Sequence, residues 1–147
     1  MKKVVVKGFI KIGLLAVIAI VGAGASAKAQ SLEYRLTANI PFDFTVSNKK
    51  LPAGEYWIGR AQQGNGDSVV RISSVDGHAN ISRLTNPVIT VSPKRQARLI
   101  FHRYGAEYFL FQIWPAGATD GRSLPKSRSE RELERKAHDA QIAEILF

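Results

Sequence analysis

The run over residues 32–46 constrains the fold more than any other part of the sequence. Every even position in it is apolar: Leu32, Tyr34, Leu36, Ala38, Ile40, Phe42, Phe44 and Val46. The odd positions hold Glu33, Arg35, Thr37, Asn39, Pro41, Asp43 and Thr45. Side chains along a strand alternate between its two sides, so a strict period of two specifies extended chain with one buried and one wet face. A helix would scatter the same residues around its circumference. Pro41 has no N–H to give to a ladder, so it marks an edge, a bulge or a break between two strands kept in phase.

Shorter runs follow at the spacing of an antiparallel meander. Residues 55–60, 68–73, 78–85 and 87–91 are strand candidates, separated by Gly, Asn, Asp and Pro. Residues 98–104 and 108–114 form the clearest hairpin, joined by Gly105-Ala106-Glu107. The second of these, Tyr108-Phe109-Leu110-Phe111-Gln112-Ile113-Trp114, has few polar residues on either side and reads as a central strand covered on both faces. After Pro115 the pattern changes. Residues 116–123 read as a Gly-rich loop, and a helix is expected from Ser127 or Ser129 to Phe147. Both serines have a glutamate three residues on (Glu130, Glu132), the spacing of a capping box. The fold class expected is all-β, an antiparallel sandwich or small barrel of about seven or eight strands with one C-terminal α-helix. The domain boundaries expected are 1–29, 30–121 and 122–147, the last being loop plus helix, either packed on the β domain or projecting from it.

Residues 1–29 have the three-part anatomy of a secretory signal peptide. Lys2, Lys3, Lys7 and Lys11 make a basic start, residues 12–21 are apolar apart from Gly13, and small residues fill 22–29 around Lys28. Ala25-Ser26-Ala27 and Ala27-Lys28-Ala29 are competing cleavage sites, and a cut after Ala29 is favoured. Between Lys11 and Lys28 lie 16 uncharged residues, short of the roughly 20 that a spanning helix wants. This segment also explains the charge. The chain carries 21 Lys+Arg against 12 Asp+Glu, a net +9, but five of those basic residues and none of the acidic ones fall within residues 1–29. The basicity therefore describes export more than a nucleic-acid partner. There is no cysteine, which excludes a disulfide scaffold, a thiol nucleophile and thiolate zinc sites.

Signatures of catalysis are missing from the sequence. His78, His102 and His138 fall in a turn, a strand and a helix, with no second histidine at ligand spacing. Asp76, His78 and Ser73 name a triad without implying its geometry, and a turn is the simpler reading. Gly64-Asn65-Gly66-Asp67 lacks the lysine of a phosphate loop and the ligand spacing of an EF-hand. No catalytic, cofactor-binding or metal-binding residue is assigned. A basic cluster, Lys94, Arg95, Arg98, His102 and Arg103, lies near Phe101, Tyr104 and Tyr108. Basic strands with stacking rings can hold single-stranded nucleic acid, but an exported chain argues for an anionic envelope polymer instead. Trp57, Tyr104 and Tyr108 are candidates for stacking on sugar rings, and in a flat exposed row they would favour glycans. Arg98, Arg103 and the apolar tip at Phe147 complete the candidate contacts to a ligand or partner.

Three segments together carry a resemblance. They are Ala38-Asn39-Ile40-Pro41-Phe42-Asp43-Phe44 with Leu51-Pro52-Ala53-Gly54-Glu55-Tyr56, then Phe101-His102-Arg103-Tyr104-Gly105 with Tyr108-Phe109-Leu110, and Leu124-Pro125-Lys126-Ser127-Arg128-Ser129-Glu130-Arg131-Glu132-Leu133. In this order they resemble a group of small exported proteins abundant in acidobacteria, a group with no assigned function. The resemblance implies a bacterial envelope protein carrying a signal peptide and no particular activity. The reading reached is a periplasmic or extracellular, non-enzymatic binding or structural module with a glycan or protein partner. A carrier of small apolar ligands, with a β-barrel cavity, is the alternative. A hydrolase ranks below both and would need His102 or His78 against a carboxylate in a cleft.

Overall fold

The alternating run folds as two strands that break at Pro41. In a computed structural model, β1 (Arg35–Ile40) belongs to one sheet and β2 (Phe44–Val46) to the other. The phase survives the break, since Ala38, Ile40, Phe44 and Val46 are all buried in the same core. The structure describes residues 35–61, 68–137 and 140–147. The signal-peptide reading of 1–29, the start of the alternating run at 32–34, the 64–67 loop and His138 lie outside the described residues.

Among the described residues, eleven strands and one helix follow one another. They are β1, β2, β3 (Lys49–Leu51), β4 (Gly54–Arg60), β5 (Val69–Ser74), β6 (Asn80–Leu84), β7 (Asn86–Ile89), β8 (Arg98–Tyr104), β9 (Glu107–Trp114), β10 (Asp120–Ser123), α1 (Arg128–Ala137) and β11 (Gln141–Leu146). The first sheet has the order β1-β4-β5-β6, and the second has β11-β8-β9-β10-β7. Neither sheet closes on itself, so the architecture is a sandwich and not a barrel. The β2–β3 hairpin joins the second sheet by a parallel contact, Thr45 beside Phe109 of β9.

Three differences from the sequence reading raise the strand count above seven or eight. β3 lies between the alternating run and the strand candidate at 55–60, where no strand was expected. β10 lies where a loop was expected and crosses the 121/122 boundary. The largest difference is at the C-terminus, where the helix stops at Ala137 and the chain returns as β11, antiparallel to β8 from Gln141–Arg103 to Leu146–Arg98. Helical propensity gives way here to tertiary demand. Ala143 and Ile145 pack against the core on the side of Phe101 and Leu99, which would otherwise lie beneath an open edge of β8.

The core fills the space between the sheets. Phe44 bridges them, with its ring edge-on to Tyr56 of the first sheet at 5.1 Å and to Phe101 of the second at 5.8 Å. Ile58 and Ile72 close it from one side, Leu99 and Ile113 from the other. At about 25 cal/mol per Å² of apolar surface, this burial holds together a chain that has no disulfide to assist it. As expected, β9 is central and buried on both faces, with Leu110 and Ile113 in the core and Phe109 on the opposite side.

Candidate functional site

The outer face of the first sheet is its wet face. Register places Trp57 of β4 in one row with Thr37 of β1, Ser73 of β5 and Asn80 of β6. The next row holds Arg35, Gly59, Arg71 and Ser82. Thr37, Arg71, Asn80 and Ser82 are exposed, and Trp57 is half-buried. The Arg35 guanidinium lies 4.3 Å from the centre of the indole, a cation–π contact that occupies one face of the ring. Gly59 contributes no side chain beside it. The result is an aromatic surface in a polar field, with hydroxyl, amide and guanidinium groups on three sides. Among the described residues no helix covers it, because α1 packs on β8 of the other sheet.

Tyr104 and Tyr108 do not join this face. Tyr104 is 5% exposed and lies on the outer side of the second sheet, while Tyr108 stacks on Phe42 at 3.8 Å, at the edge of the core. The flat row of three aromatics is therefore absent, and Tyr104 is not a surface contact. Arg98 pairs with Glu144 at 3.5 Å, Arg103 lies over the Tyr108 ring at 5.4 Å, and Lys94 lies over Trp114 at 5.6 Å. The basic cluster is thus divided among separate partners and forms no continuous strip. Phe147 is tied back by its backbone N–H, which donates to the Ala97 carbonyl at 3.0 Å.

His102 has a partner that spacing did not reveal. A β-bulge between Ile100 and Phe101 leaves Phe111 as the extra residue on β9, and its ring stacks on His102 at 4.0 Å. Glu130, in the first turn of α1, reaches down to His102 Nδ1 at 2.6 Å, with the two side chains 8% and 6% exposed. A histidine beside a carboxylate meets part of the hydrolase requirement. The pair is closed under α1 instead of opening into a cleft, and what it does is pin the helix to β8. Tyr104 sits beside it, its hydroxyl enclosed without a partner. Burial first, and then the Glu130 charge, raise the Tyr104 pKa above its ordinary value near 10.0.

The turn at 74–79 also resolves into structure rather than chemistry. The Ser74 hydroxyl donates to Asp76 Oδ1 at 2.5 Å and accepts from the Ala79 N–H at 2.8 Å. Asp76 Oδ1 also accepts the His78 backbone N–H at 3.0 Å. These two hydrogen bonds, from Ser74 first, hold the exposed Asp76 carboxyl below its usual range. Asp76 thus ties the turn together through the serine and the backbone, whereas a triad would need it on the imidazole. Ser73 points the other way, into the Trp57 row. An open depression of about 380 Å³ adjoins this turn, lined by Pro52, Tyr56, Ser74, Val75 and His78 among others. Among the described residues no group of three His, Asp or Glu side chains is placed to hold a metal ion.

No family model matches the chain. Neither a curated protein nor a solved structure does.

Proposed function

We propose that this protein is an exported, non-enzymatic module of a bacterial cell envelope, and that it binds glycan on the outer face of its first sheet. The observation that carries this reading is Trp57, set in an uncovered sheet face among Thr37, Ser73, Asn80 and two arginines. A pyranose ring presents C–H groups on one side and hydroxyls around its rim. The open side of an indole takes the first, and short polar side chains and guanidinium groups take the second. The signal-peptide pattern of 1–29 and the resemblance to exported acidobacterial proteins support the location. The carrier reading would need an enclosed apolar cavity, while the central space between the sheets holds fully buried side chains such as Tyr56, Phe44 and Phe101. A protein partner is favoured at a different place, the end of β7, where Ile89 and Val91 are 81% and 100% exposed.

Tryptophan fluorescence tests the glycan reading directly. The chain has two tryptophans, and Trp114 is buried, so the response to an added polysaccharide comes from Trp57. Titration with envelope polysaccharide fractions is expected to shift or quench emission in the wild type. Trp57→Ala is expected to lose about 1–3 kcal/mol of binding, the range for an aromatic stack, while thermal unfolding changes by less than about 1 kcal/mol. Equal retention of Trp57→Ala and wild type on every polysaccharide would refute this role for the face.

A further inference from the structure

Arg122 stands on β10 opposite Ile113 of β9, and Ile113 is fully buried between the sheets. Its side chain therefore enters the sandwich from the second sheet. The residue is only 8% exposed, and its Nε is enclosed by protein with no hydrogen-bond partner. No carboxylate among the described residues pairs with it. Two residues earlier on the same strand, Asp120 lies 3.8 Å from Arg60. Arg60 continues the inward side of β4 after Tyr56 and Ile58, so it approaches the same end of the sandwich from the first sheet. Asp120 thus pairs with Arg60 and forms no ion pair with Arg122.

A guanidinium cannot shed its proton to escape burial, and an enclosed charge without a counter-charge carries a heavy desolvation cost. Ile113 and the buried Val70, paired in register with Arg60, lower the local dielectric. That raises the cost of leaving the charge alone and the gain from neutralising it. A single anionic group at this end would meet the planar fork of Arg122. We propose that this end of the sandwich is an anion-binding site, in which Arg122 holds a carboxylate, sulfate or phosphate group with Arg60 beside it. The site is separate from the Trp57 face, because Arg60 and Arg122 point between the sheets and Trp57 points away from them.

Calorimetric titration at constant ionic strength tests this with two probes, inorganic phosphate and a polygalacturonate oligomer. The proteins compared are the wild type, Arg122→Gln and Arg135→Gln, the last being an exposed arginine in the last turn of α1. Saturable binding is expected in the wild type and in Arg135→Gln, and it should weaken by about tenfold or more in Arg122→Gln. Tighter binding of phosphate assigns the site to a free oxyanion, and tighter binding of the oligomer assigns it to a carboxylated polymer. No saturable binding of either probe overturns the proposal, as does equal affinity in Arg122→Gln or an equal loss in Arg135→Gln. Should Arg122→Gln fail to fold, Arg122→Lys keeps the charge and removes the fork. A several-fold weaker affinity is then expected, and an unchanged one overturns the proposal.

Discussion

Gly121 is glycine because Trp114 already occupies the place a side chain would take. A Cβ built there would lie 2.7 Å from two atoms of the indole and 2.9 Å from the Ile113 carbonyl oxygen. The carbonyl belongs to the ladder and cannot move cheaply, so the strain falls on β9 and β10. Gly121→Ala is expected to destabilise by about 1–3 kcal/mol, with a change in Trp114 emission; an unaltered melting temperature would contradict it. Tyrosine ionisation gives a second measurement. Tyr56 and Tyr104 both have pKa values raised above 10.0, chiefly by burial, with the Asp76 and Glu130 charges as the next contributions respectively. The fold therefore favours the protonated phenols. Their contribution is complete below the unfolded pKa near 10 and is lost as pH rises through the folded values. Absorbance titration at alkaline pH should show two phenols ionising late, together with a falling melting temperature. Residue-scale detail was legible wherever the interaction is local. Ser127 Oγ accepts the Glu130 N–H at 3.1 Å, as the serine–glutamate spacing implied. The Glu130 carboxylate went elsewhere, to a histidine 28 residues distant, and no spacing rule reaches that far.

Among the elements, the β8–β9 hairpin was readable almost to the residue because its turn is local. Gly105 takes φ 63° at the first central position, as a two-residue turn of the II′ kind requires. The strands of the first sheet were readable from alternation. β11 was not, because Ile142, Ile145 and Leu146 fit a helical stripe as well as they fit a strand. What decides between them is the edge of β8, whose partners in β11 lie 38 to 48 residues away, from Gln141–Arg103 to Leu146–Arg98. Tip and sheet are one unit, so deleting residues 142–147 removes a whole pairing partner. The expected loss is about 3–5 kcal/mol, from ladder hydrogen bonds and the cover over Leu99 and Phe101. Since small domains have only about 5–15 kcal/mol in total, the truncated protein should melt far lower and expose β8 to aggregation. A truncation that melts like the full chain would show that β11 rests on the sheet without supporting it. The candidate glycan face follows the same division. Trp57 was singled out from composition, but its neighbours Thr37, Ser73 and Asn80 come from three other strands and needed the register.

At the scale of the whole molecule, stability rests on two sheets and one core, with no covalent staple. Thermal unfolding is therefore expected to be the same with and without a reducing agent, as differential scanning calorimetry can check; a shift on reduction would have no source within this chain. The two sheets are not independent. β1 and β2 are one run of chain bent at Pro41, and β6 passes to β7 through Thr85 alone, which is buried and donates through both N–H and hydroxyl to the Ser68 carbonyl. Neither sheet can separate without breaking those crossings. β11 also gives β8 a second neighbour, so the backbone of residues 98–103 is laddered on both sides. The amides of β8 that face β11 and those that face β9 should then exchange with solvent equally slowly. A state in which β11 alone lets go would expose the first set and leave the second protected, so exchange along this one strand reads the detachment of its neighbour.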